Sequence, residues 1–397
     1  MIIMSHGLLL KMHGRQLFTT TWKTAQVTAL NHHHLPQKQP SVYGSQFVVC
    51  TRMFTSDDSK VQRIYDCIIT SKRHGLAEGI TLVESSHPTK RKQAQELLTA
   101  VLANLKAREN KNSGKPSSFR IGLTGPPGAG KSTLIESLGK QLTDDGHKVA
   151  VLAVDPSSSL SGGSLLGDKT RMQELSRDPN AFIRASPSSG SLGGVARNTN
   201  DAVVLCEGAG YDIIIIETMG VGQSEYAVAD MVDMLVLVVP PAGGDELQGL
   251  KRGIVEMADL ILVNKADGEL LIPARRMKAE YSSALKLLRK RSKIWIPKVL
   301  KVSSKTKDGL PEAWDKMLKY QTAMTDSGDL VRKRQRQQTV WMWNHIRENI
   351  MEAFKTNPAV ENSVGVIERK VALGILTPGH GADSLLKLFR VGAHKKL

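Results

Sequence analysis

The residues with the clearest chemical content are Gly125-Pro126-Pro127-Gly128-Ala129-Gly130-Lys131-Ser132, followed by Thr133. This Gly-x4-Gly-Lys-Ser spacing comes directly after an apolar run and directly before a helical stretch. A polyanion needs many donors at once and no bulky side chain in the way. Glycines let backbone N–H groups converge on phosphates, and a helix start adds partial positive charge. Lys131 then supplies a point charge for the β- and γ-phosphates of a nucleoside triphosphate and is a candidate catalytic residue. The Ser132 hydroxyl is a hard ligand for Mg²⁺.

Magnesium takes oxygen donors and keeps several waters, so a few carboxylates near Ser132 suffice. Asp155 ends one apolar run and Glu217 another, which puts both at the carboxyl edge of a sheet, where ligands of open α/β sheets collect. Asp168 lies in a Ser/Gly-rich stretch of the kind a nucleotide-dependent switch loop needs. The expected metal set is Ser132, Asp155, Asp168 and Glu217; a lone carboxylate in such a place also serves as a helix cap or a surface salt bridge. Gly220, three residues beyond Glu217, has the spacing of a backbone N–H that senses the γ-phosphate.

Asn264-Lys265-Ala266-Asp267 follows the run Leu260-Ile261-Leu262-Val263 without a gap. A carboxylate at Asp267 accepts two hydrogen bonds from guanine N1–H and its amino group, and Lys265 lies along the base plane. Adenine offers no such pattern, so an unpaired Asp267 makes the discrimination large. Ser303-Ser304-Lys305 sits where a further loop closes over the base. The cofactors these residues imply are GTP/GDP and Mg²⁺.

Positioning these residues takes short buried strands alternating with helices. Candidate strands at 119–124, 149–154, 213–217, 235–239, 260–264 and 298–302 predict an α/β fold: a P-loop NTPase with a doubly wound, mainly parallel sheet over residues 116–306. Helical periodicity over 60–112 predicts an N-terminal helical region at 57–115. Stretches 310–355 and 358–391 predict a C-terminal one at 307–397.

Residues 1–56 hold five cations and no acid, the composition of a mitochondrial transit peptide or of a basic tail. The first reading implies the matrix. No apolar run approaches the roughly 18 residues that span a bilayer, and no membrane partner is expected. The formal net charge of +16 raises nucleic acid as a partner. Arg332-Lys333-Arg334-Gln335-Arg336 reads instead as a solvated helix face, and no nucleic-acid role is assigned. Cys50, Cys67 and Cys206 are far apart with no neighbouring His in the sequence, so neither zinc nor a disulfide framework is indicated. Asp145-Gly146-His147 approaches a cobalamin-binding Asp-x-His-x-x-Gly but ends in Ala150.

Glu217-Thr218-Met219-Gly220-Val221-Gly222-Gln223-Ser224-Glu225 and the run from Pro240 through Gly249 resemble the methylmalonyl-CoA mutase-associated GTPases. The resemblance runs from about residue 60 to the C-terminus and departs at Met219, where a valine is expected. It implies a GTP-hydrolysing chaperone that gates adenosylcobalamin loading onto methylmalonyl-CoA mutase and protects that enzyme. It also implies a homodimer through the C-terminal helices, with the adenosyltransferase that supplies cobalamin as a further partner. By resemblance, residues 240–251 form a switch and Lys251 stabilises developing charge, although a solvated lysine at a helix start is an equal reading. The rivals are a nickel-insertion metallochaperone GTPase, a transport or partitioning ATPase, which the guanine motif at 264–267 disfavours, and a non-catalytic nucleotide-dependent scaffold.

Overall fold

Runs such as Ile213-Ile214-Ile215-Ile216 have no polar face, so they are stable only in a sheet covered on both sides. In the computed structural model they lie in one. It describes residues 59–85, 87–155, 172–187, 192–218, 224–241, 252–289 and 291–393. Seven strands, β1 (Phe119–Thr124), β2 (Val149–Asp155), β3 (Ala181–Pro187), β4 (Ile213–Thr218), β5 (Met234–Val239), β6 (Leu260–Val263) and β7 (Lys298–Lys301), form one sheet. Its order is β3-β2-β4-β1-β5-β6-β7, and each of these neighbouring pairs runs parallel.

Side chains alternate between the two faces of the sheet, as the pleat requires. On one face Ile214, Ile216 and Leu235 pack with the helix Leu192–Gly208 and with the N-terminal helices Ser59–Ile69, Arg73–Val83 and Pro88–Lys111. On the other, Ile213, Ile215, Met234 and Val236 pack with the helices Lys131–Asp144 and Leu310–Asp326. The helix after β1 therefore covers one face and the helix after β4, Ser224–Ala229, the other. Since β1 and β4 are neighbours, their carboxyl ends flank a topological switch point, where such sheets bind ligands.

β3 is not among the strands expected from the sequence; its Ala181-Phe182-Ile183-Arg184-Ala185-Ser186-Pro187 has few large apolar residues and carries Arg184 at its centre. That arginine reaches Glu84 of the N-terminal helices. The helical region before β1 is three helices rather than one, with Ser71 in the left-handed region at the first break and Pro88 restarting the chain after the second. The stretch 310–355 is also divided, at Ser327-Gly328, where Gly328 has φ +73° and starts the 27-residue helix Asp329–Lys355. No helix among the described residues is long and apolar enough to cross a membrane.

Candidate functional site

The phosphate loop leaves β1 and enters the helix Lys131–Asp144. Two glycines shape it. At Gly125 a Cβ would meet the Val238 carbonyl oxygen at 1.9 Å, so only glycine lets the loop lie against β5. Gly130 has φ +85°, and a Cβ there would come within 2.6 Å of Asn264 Nδ2. The Lys131 ammonium, buried at the helix start, donates to the carbonyls of Gly125 (2.7 Å) and Pro126 (3.2 Å). The loop thus holds its own cation at its mouth, where the helix dipole also favours an anion.

Ser132 and Glu217 come together directly: the serine hydroxyl donates to Glu217 Oε1 at 2.9 Å. Glu217 is buried and lies opposite Leu123 of β1 and Ala153 of β2. Asp155 ends β2, two residues past that register position, on the same sheet edge. A hydroxyl and a carboxylate in contact beside a phosphate loop are the hard oxygen donors that suit magnesium. Asp168, Gly220 and Lys251 lie outside the described residues.

The base segment is tied to the phosphate loop. Asn264 Nδ2 donates to the carbonyls of Ala129 (2.9 Å) and Gly130 (3.3 Å), while its Oδ1 accepts from Ser304 N (3.2 Å) and Ser304 Oγ (2.8 Å). Asn264 is therefore a strut between two loops. Lys265 is exposed with φ +58°, an uncommon conformation for a side chain of its size. Asp267 is half-buried and accepts from the Ser303 hydroxyl. Lys305 is exposed on the same loop. The loops at 125–132, 264–267 and 303–305 form one hydrogen-bonded unit, which Ser137 extends by donating to the Ser304 carbonyl at 2.7 Å.

Ser137 was not legible from sequence, and neither was a pair of threonines at the switch point. Thr218 Oγ1 donates to Thr124 Oγ1 at 3.0 Å, with both side chains fully buried. Thr124 immediately precedes the phosphate loop and Thr218 precedes Met219-Gly220. A threonine just before each glycine-bearing loop was the only available signal.

At the opposite edge of the sheet a second polar cluster assembles. Arg120 makes a two-pronged contact with Glu207 (2.7 and 2.8 Å), and Arg334 bonds Asp233 (2.6 and 2.8 Å) and reaches Glu207 at 3.3 Å. Burial alone would raise the Glu207 carboxyl, but the two guanidiniums bring it down to about 2. Arg334 is thus nearly buried, which corrects the solvated reading of the basic run. From the same C-terminal helix Gln337 and Trp341 donate to the carbonyls of Val232 and Asp230. His147 is also at this edge, paired with Asp212 at 2.5 Å and edge-on to Trp314, so it is spent on structure. Cys67 does have a histidine neighbour in space, with His74 Nε2 at 3.5 Å from its sulfur. No group of three or more metal-ligating His, Cys, Asp or Glu occurs among the described residues.

Residues 76–359 match the family model described as methylmalonyl Co-A mutase-associated GTPase MeaB. Over 367 residues the chain is 57% identical to a Mus musculus protein named methylmalonic aciduria type A homolog, mitochondrial, covering 90% of this chain and 88% of that one. Identity to the Caenorhabditis elegans protein of the same name is 49%, over 84% of each chain. A crystal structure of LAO/AO transport system kinase is similar at a TM-score of 0.65 and 33% identity, covering 85% of this chain and all of that one.

Proposed function

Because the chain belongs to the methylmalonyl-CoA mutase-associated GTPase family, we propose that its GTP hydrolysis gates adenosylcobalamin loading onto methylmalonyl-CoA mutase and protects that enzyme from inactivation. The chain is a GTPase of the P-loop class, so what is proposed is the use to which the cycle is put. The observation that carries the reading is the single hydrogen-bonded unit of phosphate loop, Asn264 and Ser304. A partner that moves one loop moves the others.

In this reading Lys131 exchanges loop carbonyls for β- and γ-phosphate oxygens, and the backbone donors of 125–133 hold the rest of the polyphosphate. Asp267 accepts from the guanine edge, Lys265 lies along the base, and residues 303–305 close over it. Ser132 and Glu217, joined by Asp155 and Asp168, would hold magnesium, which neutralises charge on the β- and γ-oxygens. Gly220 senses the γ-phosphate, and Lys251 stabilises charge once the partner is bound.

The mature protein acts in the mitochondrial matrix: relatives are named mitochondrial and residues 1–56 have a transit-peptide composition. It works as a homodimer through the C-terminal helices, where Trp343, Ile350, Val366, Leu373 and Ile375 stand exposed. Large exposed apolar side chains of this kind mark contact surfaces. The adenosyltransferase that supplies cobalamin is a further partner.

The deciding experiment is GTP turnover with and without purified methylmalonyl-CoA mutase. Turnover should rise several-fold with the mutase and a complex should be isolable. No stimulation and no complex would leave a GTPase with another client.

A further inference from the structure

Residues 281–307 contain no acid, yet they carry Lys286, Arg289, Lys290, Arg291, Lys293, Lys298, Lys301, Lys305 and Lys307. Nine cations in so short a stretch supply more than half of the chain's formal net charge of +16. The stretch runs from the end of the helix Leu271–Leu287 through a loop to the edge strand β7.

The loop is held firmly from within. Trp295 Nε1 donates to the Asp259 carbonyl at 2.8 Å, and its ring meets Tyr320 edge-on at 5.3 Å. Arg291 donates to the carbonyls of Met257 and Glu256, and Leu288 packs against a buried core. What remains outside is Leu287, 87% exposed, with Ile296 at 54% and Ile294 at 37%. Lys286, Arg289, Lys293 and Lys298 are exposed beside them in the chain. Among the described residues, no ion pair engages these four cations.

Uncompensated like charges repel one another, and exposed aliphatic side chains order water. An anionic surface with an apolar centre relieves both costs. We propose that the face formed by Leu287, Ile294 and Ile296 with Lys286, Arg289, Lys293 and Lys298 docks an acidic surface of a partner protein.

A protein is favoured over other polyanions by what the face is built on. Arg291 and Trp295 grip residues 256–259, which lead through β6 into Asn264 and Asp267, while β7 leads into the loop at 303–305. An occupant here presses on both segments that hold the base, which suits a partner that responds to nucleotide. Single-stranded nucleic acid wants aromatic side chains facing out to stack on, and the aromatic of this loop faces in.

The inference rests on the mutase as partner, and the test separates the two. The full chain carrying Lys286→Glu, Arg289→Glu and Lys293→Glu, all exposed positions, is compared with wild type for association with purified methylmalonyl-CoA mutase at low and high salt. The association rate should fall about tenfold or more at low salt, with a flattened salt dependence. Leu287→Ser with Ile296→Ser should mainly speed dissociation, and GTP turnover without partner should stay within about twofold. Association of the charge-reversed chain within about twofold of wild type at both salts would overturn the face while leaving the partner standing. Wild-type binding to phosphatidylglycerol vesicles, lost in the variant while mutase association is kept, would assign the face to lipid. Failure of wild type to associate with the mutase sinks the partner itself.

Discussion

The two edges of the sheet solve opposite problems. At the carboxyl edge the polar contacts among the described residues are hydrogen bonds among hydroxyls, amides, carbonyls, the Lys131 ammonium and the carboxylates of Glu217 and Asp267, with no carboxylate set against a guanidinium: Ser132 to Glu217, Ser303 to Asp267, Asn264 to Ala129, Ser304 to Asn264. At the amino edge the contacts are crossed ion pairs, with Arg120, Arg334, Glu207 and Asp233 arranged so that each charge touches an opposite one. Groups that must exchange partners with a ligand need bonds of modest strength. Groups that pin a C-terminal helix to the sheet gain from bonds that cannot be broken one at a time. The amino edge is a frame and the carboxyl edge a mechanism.

Removing a charge from the frame should give the largest effect. Glu207→Ala leaves two buried guanidiniums short of a counter-charge and should lower unfolding stability by about 3–5 kcal/mol. Turnover per folded molecule should change little. A loss below about 1 kcal/mol by denaturant titration would mean that the quartet is not the frame. The pH dependence has a definite sign. The carboxyl falls from an ordinary value of 4.5 to about 2 in the folded chain, so its contribution is present above about 4.5 and disappears as pH drops from there towards 2. The stability gap between wild type and Glu207→Gln should close over that window.

The mechanism edge is probed by Asp267→Asn. Here the chain should stay folded, because Asn keeps an acceptor for the Ser303 hydroxyl. GTP affinity should fall by about 2–3 kcal/mol and xanthosine triphosphate should gain. Unchanged preference for GTP would show that Asp267 does not face the base, and the contrast between a replaceable edge and a fixed one would lose its best support.

The same contrast explains what was legible in the sequence. Residues 125–132 and 264–267 are contiguous, since backbone geometry at one turn is set by neighbouring residues, and a motif can be read wherever the chain makes the whole contact locally. Six of seven strands followed from short apolar runs, β1 among them although it carries Arg120; β3 has only Phe182 and Ile183 as large apolar residues before Arg184, whose partner Glu84 lies about a hundred residues away. Arg334 looked like one cation in a solvated run. Its partners Asp233 and Glu207 are about a hundred residues away or more, and nothing in a local pattern encodes that distance. Ser137 and the Thr124–Thr218 pair were missed for the same reason.

That threonine pair joins the two edges' logic, for it is buried like the frame yet sits where the mechanism begins. Each hydroxyl is the partner of the other at 3.0 Å. Valine has the same shape without the hydroxyl, so Thr124→Val or Thr218→Val alone strands a buried hydroxyl and should cost about 1–2 kcal/mol. The double variant removes both groups and should cost less than the sum of the singles, by about 0.5–1 kcal/mol or more. If the bond serves only the fold, the double variant will discriminate GTP from GDP as wild type does. If it also keeps the phosphate loop and the segment leading to Gly220 in step, the double variant will fold normally and still bind the two nucleotides more equally. Strictly additive stabilities would remove the bond from both accounts. A near-normal fold with narrowed GTP-to-GDP preference would mean that a link between the two loops runs through two fully buried hydroxyls.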